Sequence, residues 1–141
     1  MDAALRGNYG VMYYRNFLYD EAVQQLDLAI NGGQTEDGFP INGLPLENEV
    51  RTVEYYFTYG MALARTFQCG EALRIVQEIQ TKVRLDEASM EVVNDAVNRT
   101  TEICQENLEN PPVTPSSTDI DNTAEPETET PTTEPVETPT P

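Results

Sequence analysis

Apolar residues recur at threes and fours near the start of the chain: Tyr9, Met12, Tyr13 and Phe17 mark one stripe, and after a short break Ala22, Val23, Leu26, Ala29 and Ile30 mark a second. That spacing predicts two amphipathic helices joined by a tight turn, a helical hairpin. The pattern returns with Tyr56, Tyr59, Leu63 and Phe67, followed by Ala72, Leu73, Val76 and Ile79. Laid over each other at an offset of 50 residues, the two stretches are identical at Tyr9 and Tyr59, Gly10 and Gly60, Arg15 and Arg65, Phe17 and Phe67, Glu21 and Glu71, and Ala22 and Ala72. Identity repeated at one offset predicts a duplicated unit.

Between the units the pattern breaks. Residues 31–50, "NGGQTEDGFPINGLPLENEV", carry four glycines and two prolines, which forbid a continuous helix. Phe39, Ile41, Leu44 and Leu46 alternate around Asn42-Gly43, a favoured turn pair, and predict a small hairpin-like flap whose apolar side covers part of the helices. An ordered but irregular loop is the alternative. After the second unit, Asp86 is the expected N-cap of a further helix that places Met90, Val93, Val97 and Cys104 on one face. A polar outer surface suits a helix that closes the end of a stack.

The repeated residues resemble the tetratricopeptide repeat family, whose signature sets a Leu-Gly pair, a Tyr three residues after the Gly, then Ala followed four residues later by a large apolar residue. Tyr9-Gly10, Tyr13, Ala22 and Leu26 take those places in the first unit; Tyr59-Gly60, Leu63, Ala72 and Val76 take them in the second. Two departures stand out: the early Trp place holds Arg6 and Tyr56, and the late Pro place holds Gln34 and Arg84. A plain unit of that family is about 34 residues long, and the insertion accounts for the excess here. The resemblance implies an all-α fold of two helical hairpins, about 3–30 and about 51–83, with the insertion 31–50 and a C-terminal capping helix about 86–106, stacked as an α-solenoid within residues 1–108. Gly10 and Gly60 are then expected to let paired helices approach closely, with Ala22 and Ala72 opposite them. In the family the first helix of each hairpin lines a concave groove that holds a peptide or partner segment, which puts Val11, Tyr14, Arg15, Phe57, Met61 and Arg65 on the binding face. Arg15 and Arg65 would present two stacked cations to a partner carboxylate or else pair with acids of the chain itself.

Composition separates the rest of the chain from this unit. From Glu109 onward there are eight prolines, eight acids and no base, while all eleven Tyr and Phe lie between Tyr9 and Phe67. Residues 109–141 are therefore expected to form a disordered, acidic Pro/Thr/Glu-rich tail, because so few apolar groups do not offset the entropy of ordering. The tail takes eight of the 17 net negative charges and leaves nine on residues 1–108. Acidity on both parts argues against nucleic acid or anionic membrane as a partner, and no apolar run is long enough to span a bilayer.

The start, "MDAALRGNYG", lacks a basic residue followed by an apolar stretch, so no signal peptide is visible. It also leaves little room before the first unit, whereas about three units usually share a continuous core; upstream repeats of the same native chain are expected.

Two cysteines are present. In a helix order of up, down and up, Cys69 in the second hairpin's turn and Cys104 near the end of the third helix fall at the same end of the bundle. Two readings stand. A bridge needs Cα atoms within about 7 Å and restricts the unfolded chain by about 4 kcal/mol in the entropy account; alternatively both are small core residues. A bridge implies an oxidising compartment, and the tail resembles those of secreted or cell-envelope bacterial proteins, so an extracytoplasmic place is the first expectation and a cytoplasmic one the alternative.

Candidate chemistry is sparse. There is no histidine, which removes Ser-His and Cys-His nucleophile pairs within this chain. Lys82 is the sole lysine and no Gly-rich phosphate loop leads to it. Two thiols do not complete a metal site, and "TEDGFPINGLPLENE" fails the spacing of a calcium loop. Asn98-Arg99-Thr100 fits a glycosylation sequon, but its helical setting points to coincidence. The expectation is a non-enzymatic protein-protein interaction or scaffolding module without cofactor or metal, binding a protein or peptide. The alternatives are the C-terminal accessory region of a larger cell-envelope enzyme whose catalytic domain lies upstream, and a plain spacer.

Overall fold

A computed structural model describes residues 2–112 of the chain. Residues 113–141, most of the expected acidic tail, lie outside the described residues. The described part is helical, with five helices and one two-stranded ribbon: α1 (Ala3–Arg15), α2 (Tyr19–Asn31), β1 (Gly33–Gln34), β2 (Pro40–Ile41), α3 (Val50–Arg65), α4 (Cys69–Lys82) and α5 (Glu87–Glu109). The all-α class expected from the repeated periodicity holds. The last helix extends to Glu109, beyond the expected end near 106.

Side chains start three of the helices. Asp2 accepts the Leu5 amide at 2.8 Å, Glu49 accepts those of Arg51 and Thr52 at 3.1 and 2.8 Å, and Asp86 accepts that of Ser89 at 3.0 Å. Asp2 and Asp86 each satisfy one, and Glu49 two, of the amides that a helix N-terminus leaves without an acceptor. The bond from the Thr52 amide, then that from Arg51, holds the Glu49 carboxyl below the usual range; at Asp86 the Ser89 hydroxyl and amide do the same.

The helices α2 and α4 have no side-chain cap and start directly out of the preceding turn. Both turns are the same device. The Leu18 amide bonds back to the Tyr13 carbonyl and the Phe17 amide to that of Tyr14; fifty residues on, Gln68 reaches Leu63 and Phe67 reaches Ala64. This double closure is a Schellman motif. It forces the residue after the C-cap into the left-handed region, and Phe17 and Phe67 both sit at φ 63°.

Packing centres on α3, which touches α1, α2, α4 and α5. Three of its tyrosines reach outward with buried rings. The Tyr55 hydroxyl lies 3.1 Å from the Ala4 carbonyl and 3.0 Å from Asn8 Oδ1 on α1; that of Tyr56 donates to the Leu44 carbonyl at 2.7 Å, and that of Tyr59 to Asp27 Oδ1 on α2 at 2.9 Å. Burial first, and the Glu78 charge after it, pushes the Tyr56 hydroxyl up to about 12. Burial also raises Tyr59, helped by the charge and hydrogen bond of Asp27.

Three sequence expectations need correction. The stripe on α1 is not its buried face: Ala3, Gly7, Gly10 and Val11 are buried, while Tyr9 and Met12 are exposed. The cause is close approach. A Cβ on Gly7 would lie 2.6 Å from the Tyr55 ring, and one on Gly10 would run into Leu26 Cγ. Gly60, by contrast, has room: its nearest neighbour would be Ile75 Cγ2 at 3.6 Å, an ordinary contact. The third correction concerns the insertion. It forms a ribbon, with Gly33 opposite Ile41 and Gln34 opposite Pro40, but the chain reverses over Thr35–Gly38, where the Gly38 amide bonds to the Thr35 carbonyl. Gly43 is instead pressed on the end of α2, with no space for a Cβ beside the Ile30 carbonyl, and the Leu44 amide bonds to Ala29. Ile41 is buried, and Leu44 and Leu46 pack against the core, whereas Phe39 stays exposed.

Candidate functional site

A groove of about 190 Å³ opens between the N-terminal halves of α3 and α5. Its floor is apolar: Val53 and Val93 are buried, and Phe57 and Leu85 are half-buried beside them. Val50 and Val92 form its lips, each more than half exposed. Phe57 lies one turn beyond Val53 and so shares its side of α3. Val53 and Val93 are closed off by their neighbours, so the apolar surface the groove offers is that of Phe57, Leu85 and the two lips.

One end of the groove is charged. Glu54, on the groove wall, accepts from Arg51 at 2.7 Å and from Arg15 of α1 at 3.0 Å. The Glu54 side chain is 18% exposed, while those of Arg15 and Arg51 are 71% and 59% exposed. Exposed pairs of this kind contribute about 0–1 kcal/mol each, so they hold position more than they hold the fold. Glu49 lines the same end, so two guanidiniums stand beside two carboxylates, and it is the exposure of the arginines that leaves their N–H groups open to solvent.

The six residues expected on a binding face are spread over different surroundings. Phe57 lines the groove, and Arg15 stands at its charged end. Met61 is half-buried one turn further along α3. Val11 is buried in the core. Tyr14 packs on Tyr19 with ring centroids 5.2 Å apart, and Arg65 lies over the same Tyr19 ring at 5.7 Å. The pairing of Arg15 with Arg65 as stacked cations is thus not realised. The cation beside Arg15 is Arg51, legible only as an i,i+3 partner of Glu54. Val50, Leu85 and Val92 were also missed, because a groove between helices distant in sequence leaves no local pattern.

Cys69, at the start of α4, and Cys104 on α5 lie at disulfide distance, with Cα atoms 5.6 Å apart. Asn107 Nδ2 donates to the Ala64 carbonyl at 2.9 Å and lies 3.5 Å from Cys69 Sγ. Together these contacts hold the C-terminal half of α5 to the turn between α3 and α4. Thr100 of the glycosylation sequon is buried against α3. Among the described residues no helix is long and apolar enough to cross a membrane, and no group of three or more acidic or thiol side chains gathers at metal-binding distance.

No protein-family model, curated protein or solved structure matches the chain.

Proposed function

We propose that the protein is a non-catalytic interaction module of the tetratricopeptide-like kind, a short α-solenoid that holds a peptide segment of another protein in the groove between α3 and α5. The observation that carries this reading is an apolar groove, rimmed by exposed Val50 and Val92 over half-buried Phe57 and Leu85, that ends at a pair of arginines. An apolar side chain seated on Phe57 between Val50 and Val92 gains the usual area term of burial. A carboxylate nearby in the same peptide meets Arg15 and Arg51. The ligand is therefore a segment with an apolar anchor next to an acidic group. The cysteine pair at bonding distance supports a place outside the cytoplasm.

Selection from a random peptide-display library, followed by calorimetry on the selected peptides, tests this. Selected sequences are expected to share an apolar residue beside Asp, Glu or a free C-terminus. Val92→Asp, and Arg15→Glu combined with Arg51→Glu, are each expected to weaken binding about tenfold, the loss of one desolvated contact or charge pair. Both alter exposed positions and leave the core intact. Peptides with no shared pattern, or variants that bind as the wild type does, remove the groove from the account.

A second reading has its own observation. Leu5, Tyr9 and Met12 recur at helical spacing on α1 and are all exposed, a stripe on the face turned away from α2 and α3. Such a stripe suits a preceding helix of the same native chain, and supports the protein acting as an accessory region of a larger cell-envelope enzyme. Joining the chain to its native upstream sequence is expected to protect Tyr9 from surface labelling; unchanged labelling defeats this reading.

A further inference from the structure

At the end of the stack formed by the turns after α1 and α3, two phenylalanines stand out in solvent. Phe17 is 76% exposed and Phe67 54%. They occupy equivalent places, in the left-handed backbone conformation that glycine adopts without cost and a side chain does not. Folding draws little from either ring, since neither is buried. Between the two turns lies an open trough lined by both phenylalanines, Tyr19, Asp20, Glu21 and Arg65.

The trough already contains one example of the contact it favours. Arg65 lies 5.7 Å from the centre of the Tyr19 ring, within the range of a cation–π attraction, and the rings of Phe17 and Tyr19 stand perpendicular with centroids 6.3 Å apart. The remaining faces of Phe17 and Phe67 hold no cation, and Asp20 and Glu21 form no salt bridge among the described residues. Exposed aromatic faces beside unpaired carboxylates, on a chain with a net charge of -17, are complementary to a planar cation that can stack and donate in a fork at once. Lysine offers a point charge in place of that fork.

We propose that this trough is a second docking surface, separate from the groove between α3 and α5, that takes arginine side chains from an exposed segment of a partner protein. Arginine stacks on Phe17 and Phe67 and pairs with Asp20 and Glu21. Its ligand is opposite in charge to the one proposed for the groove, so the two sites are separable by peptide chemistry alone.

The test uses the full chain at physiological salt, with a short fluorescent oligoarginine amide as the probe and an oligolysine amide of equal length as the comparison. The oligoarginine is expected to bind about tenfold more tightly than the oligolysine, and the double variant Phe17→Gly, Phe67→Gly to lose about tenfold of that affinity. Glycine suits the left-handed conformation at both places, so the variant keeps the turns, which its circular dichroism checks. Amide shifts on titration are expected to cluster at the two turns and spare Val50 and Val92. Equal affinity for both peptides, or unchanged binding by the double variant, would reduce the attraction to general charge and overturn the proposal. Shifts centred on the groove would overturn it as well.

Discussion

The two hairpins are written on one template, and the same residue type does different work in each. Tyr9 and Tyr59 are equivalent by the offset, yet Tyr9 is 39% exposed and Tyr59 4%. Gly10 and Gly60 are equivalent too, but Leu26 fills the space beside the first while the second has room to spare. The difference is one of neighbours. On α3, packed between the first hairpin and α5, large residues are enclosed on nearly every side. The α1 helix packs on one side only, so it buries Gly7 and Gly10 there and presents Leu5, Tyr9 and Met12 to solvent. A repeat in sequence therefore specifies backbone and turns; position in the stack decides which side chains become core.

Substitutions at equivalent places break this comparison most directly. Tyr59→Ala is expected to destabilise the protein by about 3–5 kcal/mol, in the range of a large buried ring truncated to Ala, whereas Tyr9→Ala is expected to cost about 0.5 kcal/mol or less, as exposed substitutions do. Urea denaturation of both variants measures the gap; equal losses would mean that the two tyrosines share one environment. Next in size is a reversal of sign. Gly10→Ala drives a methyl group into Leu26 and is expected to cost about 1–3 kcal/mol, while Gly60→Ala meets only ordinary contacts and is expected to stabilise by about 1 kcal/mol through helix propensity. Thermal melts showing the same sign for both would refute the close approach of α1 to α2.

The smallest effect concerns pH. In the folded state the hydroxyls of Tyr56 and Tyr59 hold their protons above the ordinary value of 10.0. Between that value and the raised one, the folded chain binds more protons than the unfolded chain, so stability falls as pH rises. The contribution is complete below pH 10 and is lost above it. Stability followed by denaturation at increasing pH is expected to decline from that point, and Tyr59→Phe is expected to decline less; an identical decline in the variant would show that Tyr59 does not supply it.

Much of the architecture was legible because helix periodicity and the Glu-Ala and Tyr-Gly identities report local structure directly. What was hidden lies where the deciding partner is remote. Nothing near Gly7 announces that the Tyr55 ring will lie on it. The left-handed residues at Phe17 and Phe67 escaped notice because the usual sign, Gly or Asn, is absent. In the insertion, Asn42-Gly43 carried the stronger turn chemistry, but close packing against Ile30 claimed Gly43, and the reversal fell at Gly38. Of the groove, Phe57 and Arg15 were within reach of the family resemblance. Arg51, Val50 and Val92 were not, since their meeting depends on how α5 lies along α3.

The cysteine and amide contacts that tie α5 to the turn between α3 and α4 lie at one end of it. Cys104 and Asn107 hold it near its C-terminus, while Ser89, Val92 and Val93 line the groove near its N-terminus. Between them Val93, Ala96, Val97 and Thr100 are buried, so α5 is held to the core along its whole length, and only the rims of the groove, Val50 and Val92, stand out to meet whatever enters it.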